Sequence, residues 1–349
     1  MTNWFAFLEA QGASLTQGEY PEVISFGETP SQYPQLQSQT LLFSLDDRGI
    51  LGFSGPDTDK LLQGQVTCDI HQLSEQQALR GALCTIQGRM VSDFHLCRPN
   101  ESETLLVSHL GLVTTTLETL KKFAVFYKTV LVDQSASYRV LGLTGPDARA
   151  LAQQATGADD SDSNCLQGNG VCMIKVAAQR WLVIVPTESA QALWHQFGEK
   201  ATAAGLPLWR LLAIADGDGE VHPSTAEEFI PQMLNLQLTG AVSFKKGCYT
   251  GQEIVARMQY LGKLKRRMYR LAFAGPSPQP GAPLHQPGGR ECGTVVMAAP
   301  SGEECSELLA VLTDEAAAAG VLCLDSDEFA VRKLPLPYEA VPGDQQEGS

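Results

Sequence analysis

The chain has 349 residues, a formal net charge of −14, 44% hydrophobic and 18% charged residues. That length exceeds a single compact core and points to about two or three domains. So acidic a balance excludes a general nucleic-acid binder, which needs a basic face, and no run approaches the roughly 18 apolar residues that cross a bilayer, so neither DNA nor membrane contact is expected.

Residues 1–38 read as an N-terminal extension. The opening Met-Thr-Asn-Trp-Phe-Ala-Phe-Leu-Glu has no basic n-region, and no signal peptide is expected. Leu51-Gly-Phe-Ser-Gly-Pro-Asp57 is then echoed by Leu141-Gly-Leu-Thr-Gly-Pro-Asp147. Each reads as a strand running into a helix, with Ser54 or Thr144 as N-cap and Pro56 or Pro146 in the first turn. The echo predicts two related α+β modules, over 39–138 and 139–262. Strands are predicted at 82–86 and 90–96 in the first. In the second, 171–176 and 181–185 should form a hairpin across Ala178-Gln179. After about residue 265, short apolar runs (268–273, 294–297, 308–312, 321–324 and 329–331) alternate with turn-rich stretches, and Ala274–Arg290 reads as a loop. That pattern predicts a small antiparallel β-barrel over 263–340, followed by a disordered tail at 341–349. Nine cysteines lie scattered, without a C-x-x-C pair and without metal-ligand spacing to the six histidines. This reads as free thiols in a cytoplasmic protein, with no metal site.

The stretch Phe244-Lys-Lys-Gly-Cys-Tyr-Thr-Gly-Gln-Glu253 carries the chemistry. Thr250-Gly-Gln-Glu253 has the form of a capping box, with Tyr249 and Ile254 as its hydrophobic staple. Ile254, Met258 and Leu261 recur at helical spacing, so a helix is predicted from Gly251 to about Leu261. Cys248 then lies just before a helix start, with Lys245 and Lys246 alongside, and both effects favour thiolate over thiol. The alternative is a small residue packed in a turn. Residues 245–270 hold eight Lys and Arg against one acid, Glu253. Such a run is either a solvated face or a receiver for an anion.

The stretch "KGCYTGQE", followed by "VAR", resembles the signature of the YgfZ family of folate-binding proteins, which are tied to iron–sulfur cluster maintenance and tRNA modification. The likeness continues in "GQVTCDI" (64–70), "EFIPQMLNLQ" (228–237) and "LPLPYE" (334–339). It implies kinship with aminomethyltransferases of the glycine cleavage system. The fold implied is α+β, with two related modules and the barrel around a central hole. Tetrahydrofolate is the implied cofactor, and iron–sulfur proteins such as tRNA-thiolating enzymes are the implied partners. Cys248 would be the functional centre, and Trp209, Lys246, Tyr249, Arg257, Asp216 and Arg48 the folate-contacting positions. The chain departs from the family twice. Where relatives place the pterin-holding acid this chain has Ala215, with Asp216 next to it, and Arg48 stands where relatives can have Trp. Gly88-Arg-Met-Val-Ser-Asp93 resembles the transferase turn that carries a catalytic aspartate, here Asp93.

Three other readings stay open. One is a folate-dependent aminomethyltransferase, and another is a non-catalytic folate sensor. The third is a Cys–His hydrolase or acyltransferase in which His71, His95 or His222 approaches Cys248 in space.

Overall fold

Both repeat joints lead a strand into a helix in the computed structural model, which describes residues 4–338 apart from 19, 160, 161, 263, 325 and 326. The expected tail at 341–349 lies outside the described residues. The extension holds α1 (Trp4–Ala10), the short pair β1 (Ser14–Leu15) and β2 (Val23–Ser25), and α2 (Tyr33–Leu36). There follow β3 (Leu41–Ser44), β4 (Arg48–Ser54), α3 (Thr58–Gln63), β5 (Leu79–Cys84), β6 (Met90–Asn100), β7 (Glu103–His109), α4 (Val113–Ala124) and β8 (Val130–Asp133). The second unit comprises β9 (Tyr138–Thr144), α5 (Ala148–Thr156), β10 (Cys165–Gly168), β11 (Val171–Ala177), β12 (Arg180–Pro186), α6 (Ala190–Gly198) and β13 (Thr202–Ala203). Beyond it come α7 (Leu206–Ala215) and α8 (Gln252–Tyr260).

The two sheets have strand orders β5-β6-β7-β4-β8 and β10-β11-β12-β9-β3-β13. Their first four positions correspond one to one, so the echo in sequence is an echo in topology. The joints show why it persists. Gly55 (φ +119°) and Gly145 (φ +104°) turn so tightly that a Cβ would stand 2.4 Å from the Lys128 carbonyl oxygen and 2.2 Å from that of Gln39. Only glycine fits. This turn also displaces the expected caps: Ser54 and Thr144 end their strands, and Asp57 and Asp147 occupy the cap positions. The two carboxylates tie each joint to a neighbouring strand, Asp57 accepting from Lys128 N (3.0 Å) and Asp147 from Thr40 Oγ1 (3.2 Å).

One strand crosses between the units. β3, within the stretch read as the first module, pairs with β9 in the second sheet. The hairpin at 178–179 forms as expected, with Ala177 opposite Arg180.

The barrel is closed, in the order β14-β17-β16-β15-β18-β19. Its strands are β14 (Arg266–Ala274), β15 (Pro283–His285), β16 (Glu291–Pro300), β17 (Cys305–Thr313), β18 (Val321–Leu324) and β19 (Asp327–Leu334), with α9 (Asp314–Ala318) after β17. β15 lies inside the stretch read as a loop; three residues among prolines and glycines are too short to show alternation. One central core joins all three parts, combining Cys97 and Val107 of the first sheet, Ile174 and Leu182 of the second, Trp209 of α7, and Val296 and Leu309 of the barrel. Helix α7 buries six of its ten residues there, and each large side chain so buried contributes about 1.5–3 kcal/mol. That burial fixes where the segment after α7 begins.

Helix α8 departs from its predicted start. Gly251, in the left-handed region at φ +85°, is its cap, and no side chain caps it. Thr250 Oγ1 instead donates to Gln65 Oε1 (3.0 Å), and Gln252 Oε1 accepts from Tyr249 N (3.2 Å). The buried residue of α8 is Val255, while Leu261 is 86% exposed. The hydrophobic period was one residue out of register because Val255 packs inward, its carbonyl accepting from Gln232 Nε2 (2.6 Å). Among the described residues, no helix is long and apolar enough to cross a membrane, and no group of three or more His, Cys, Asp or Glu is placed to hold a metal ion.

Candidate functional site: a charged cleft and a cysteine loop

Helix α7 ends at Ala215, and the chain leaves it as Asp216-Gly-Asp-Gly-Glu220. Three arginines from three separate strands converge on these acids. Arg180, opening β12, reaches Asp216 (Nε to Oδ2, 2.8 Å) and Asp218 (Nη2 to Oδ2, 2.5 Å). Arg80 of β5 pairs with the other oxygen of Asp218 and donates to the Gly219 carbonyl (2.7 Å). Arg48, opening β4, makes a two-point pair with Glu220, one arm at 2.8 Å. Such forked contacts fix position as well as charge. Tyr338, in the last of the four family-like stretches, holds the strap from outside, its hydroxyl donating to the Gly217 carbonyl (2.6 Å).

Beneath the strap lies a small cleft that opens to solvent. Its charged wall is Arg48, Arg80, Arg180, Asp218, Glu220 and Asp93, and its remaining wall includes His95, Ser108, Val107, Leu182 and Trp209. Asp93 and His95 sit two apart on β6 and so share a face. Asp93 Oδ1 accepts from Val221 N (2.7 Å), and Oδ2 from Arg80 (3.3 Å). Burial pushes the Asp93 carboxyl up to about 6, against the pull of Arg80. Burial, then Arg80, lowers His95 to about 3, so it is neutral at pH 7. Asp218 goes the other way: burial opposes its charge, but Arg80 and Arg180 outweigh that and hold it well below the usual carboxylate range. Three buried polar atoms of residues that line this cleft, Ser108 Oγ, Arg80 Nε and Arg48 Nε, have no hydrogen-bond partner among the described residues, although Arg48 Nε stands 3.3 Å from the Asp47 carboxylate. Orphaned polar atoms in a native interior call for an explanation, and a bound molecule with polar edges supplies one.

The raised Asp93 carries a pH dependence. Its folded value of about 6 lies above the unfolded value of about 3.9. The associated stabilisation is complete below about pH 4 and is lost as pH rises through 6. Asp93→Asn keeps the acceptor for Val221 N and removes the titration. Urea unfolding across this range should show the stability of wild type relative to Asp93→Asn falling by about 2–3 kcal/mol. A flat difference would contradict the assignment.

Cys248 lies elsewhere. The loop that carries it runs along the stretch Gly64–Cys68, so two of the stretches singled out in the sequence are in contact. Ser243 N donates to Thr67 O (2.9 Å) and Thr250 N to Gly64 O (3.2 Å). Lys246 Nζ donates to Val66 O and Cys68 O, both at 2.7 Å. A third stretch supports the other side, with Gln232 bonded to α8 and Met90 N donating to Phe229 O (2.8 Å). Cys248 is exposed at the tip.

Lys246 is therefore a clamp. Its ammonium is buried on two carbonyls and 5.2 Å over the Tyr249 ring, and burial lowers it to about 8. Lys246→Met should cost about 2–3 kcal/mol by leaving those carbonyls unpaired. Thermal or urea unfolding reads this directly, and an unchanged midpoint would show that water replaces the ammonium.

Of the sequence-predicted positions, the cleft brings together Arg48, Trp209 and Asp93. Trp209 is almost wholly buried, with the Arg180 guanidinium 4.9 Å from its ring centroid. Asp216 holds Arg180 but does not line the cleft; the acids that do are Asp93, Asp218 and Glu220. Lys246, Tyr249 and Arg257 belong to the cysteine loop and its helix and do not line the cleft. The basic run is not one face either. Arg266, Arg267 and Arg270 pair with barrel acids and Lys246 is buried, which leaves Lys245, Arg257 and Lys265 exposed among the described residues. The histidines are apart: His95 lines the cleft, His222 meets His109 edge-on at 4.9 Å, and His71 lies 3.6 Å from Asp69. Sequence reasoning passed over Arg80, Ser108, Arg180, Asp218 and Glu220. The alternating Asp-Gly-Asp-Gly-Glu after an apolar helix was the one signal available.

The GCVT N-terminal domain family matches residues 19–213. The tRNA-modifying protein YgfZ of Pectobacterium carotovorum is 35% identical over 319 residues, covering 88% of this chain and 95% of that relative. Its namesake in Photorhabdus laumondii is 35% identical over 320 residues, covering 88% and 96%. The solved glycine cleavage system aminomethyltransferase T from Bartonella henselae superposes with a TM-score of 0.78 at 17% identity, over 95% of this chain and 96% of that one. That structure carries the same fold of two α+β units and a barrel. With the signature at Lys246–Glu253 seated on the "GQVTC" stretch and relatives matching over most of their length, this chain belongs to the YgfZ family.

Proposed function

We propose that the chain is a tetrahydrofolate-binding accessory protein for iron–sulfur cluster maintenance, and thereby for tRNA modification, acting through Cys248. The observation that carries this reading is the cleft under the Asp216–Glu220 strap, where Ser108 Oγ and Arg80 Nε are buried and unpaired. A folate has polar edges on its pterin and carboxylates on its tail, which suits a wall that mixes carboxylates, guanidinium groups and a hydroxyl. Asp93 and Glu220 would accept from pterin N–H groups, and Ser108 and Arg80 would satisfy its acceptors. Bound folate supplies carriage of a one-carbon unit. The exposed Cys248 thiol supplies a nucleophile or a soft metal ligand outside the cleft. Clients would be iron–sulfur proteins such as the enzymes that thiolate tRNA, consistent with relatives named tRNA-modifying proteins. The chain would work in the cytoplasm, without membrane or direct DNA contact. The test is a deletion strain assayed by mass spectrometry of its tRNA nucleosides. Thiolated bases made by iron–sulfur enzymes should fall and return with the wild-type gene; unchanged levels would overturn the reading.

A folate-dependent aminomethyltransferase is the second reading, favoured by the buried Asp93 in the cleft. It requires ammonia release from an aminomethyl-lipoyl carrier protein on addition of tetrahydrofolate, which the first reading does not.

A further inference from the structure

The charged side chains of the cleft are largely committed to one another. Asp218 takes Arg80 and Arg180, Glu220 takes Arg48, and Asp93 takes Val221 N and Arg80. These pairs hold the strap. His95 stands among them and belongs to none. It lies in the middle of β6, cross-strand from Arg80 on β5 and from Val107 on β7, half-buried in the wall of the cleft. Neither of its ring nitrogens makes a hydrogen bond among the described residues. A native interior ordinarily pairs its polar atoms, so an imidazole left unpaired at a cleft wall keeps its donor and its acceptor free for a bound molecule.

The surroundings of the ring narrow what it can bind. Burial opposes its protonation, and Arg80, Arg48 and Arg180, facing it from three strands, add to that against the pull of Asp218. The ring therefore brings no charge to an anion. The carboxylates around it only accept and the guanidinium groups only donate, whereas a neutral imidazole offers one of each. We propose that His95 is a specificity residue of the cleft, hydrogen-bonding through a ring nitrogen to an uncharged polar edge of the bound pterin. This rests on the folate reading given above and adds to it a contact that the ion pairs cannot make.

Isothermal titration of tetrahydrofolate into wild type, His95→Phe and His95→Gln, at low and high salt, tests the proposal. Phenylalanine fills the space of the imidazole and sets carbon against the ligand's polar group, while glutamine restores a donor and an acceptor. His95→Phe should bind about tenfold more weakly than wild type, and His95→Gln within about threefold of it. The ratio of wild type to His95→Phe should not change with salt, because a hydrogen bond between uncharged groups is not screened. Without ligand, both variants should unfold in urea at the wild-type midpoint or above, since no bond is lost. Four results would each overturn the proposal while leaving the folate site standing: equal binding by His95→Phe, no recovery in His95→Gln, a ratio that shrinks with salt, or a large loss of stability in both ligand-free variants. No binding by wild type would overturn the folate reading itself, and this inference with it.

Discussion

Asp218→Asn should lower folding stability by about 3–5 kcal/mol, the range for breaking a buried charge pair from one side. Asp218 is the shared partner of Arg80 and Arg180, one oxygen to each, and all three side chains are no more than 16% exposed. The asparagine is the same size but carries no charge, so two buried guanidinium groups lose their common counter-charge. Arg180 keeps Asp216, and Arg80 keeps Asp93 at 3.3 Å, so the strap should loosen before the sheets do. The same carboxylate carries an acid dependence opposite in sign to that of Asp93. Its folded value is depressed below the unfolded value of about 3.9, so its contribution is present above that pH and lost as pH falls through the folded value. Urea unfolding at pH 7 and pH 3 should therefore show a large deficit for Asp218→Asn at the first and a smaller one at the second. An equal deficit at both would place the effect in packing rather than charge.

Cys248→Ser should abolish restoration of thiolated tRNA bases in a deletion strain, at wild-type protein levels and with unchanged unfolding. Serine fits an exposed loop tip, but its hydroxyl stays protonated at pH 7, so thiolate nucleophile and metal ligand are both lost. Lys246→Met separates support from chemistry. Because the ammonium is held by the Val66 and Cys68 carbonyls, its loss should cost stability, and any functional defect should be relieved at lower temperature, whereas that of Cys248→Ser should not. Full rescue by Cys248→Ser would reduce the cysteine to an exposed turn residue without a role in the chemistry.

What was legible in the chain was whatever is written in neighbouring residues. The joints at Gly55 and Gly145 were visible because a backbone turn that admits only glycine leaves the same seven-residue trace twice. The barrel was visible because five of its six strands are short apolar runs flanked by turn residues, while β15 is too short to show. The start of α8 was misread because Thr250-Gly-Gln-Glu253 has the spacing of a capping box, while tertiary contacts to Gln65 and the left-handed Gly251 decide the geometry. The cleft was mostly invisible. Arg48, Arg80 and Arg180 are spread over 133 positions and meet only because the strands that carry them belong to two sheets closing on one strap. Lys246 and Cys248 looked like a charge beside a thiol, yet burial turns the lysine inward, away from the exposed tip.

The most direct measurement is isothermal titration of tetrahydrofolate into wild type, Ser108→Ala and Cys248→Ser. The Ser108 hydroxyl is buried and unpaired, so alanine should leave stability unchanged or raise it slightly, while removing a hydrogen bond to the ligand. Wild type and Cys248→Ser should bind alike, and Ser108→Ala should bind about tenfold more weakly. No binding by wild type, or equal binding by Ser108→Ala, would contradict a folate site in this cleft.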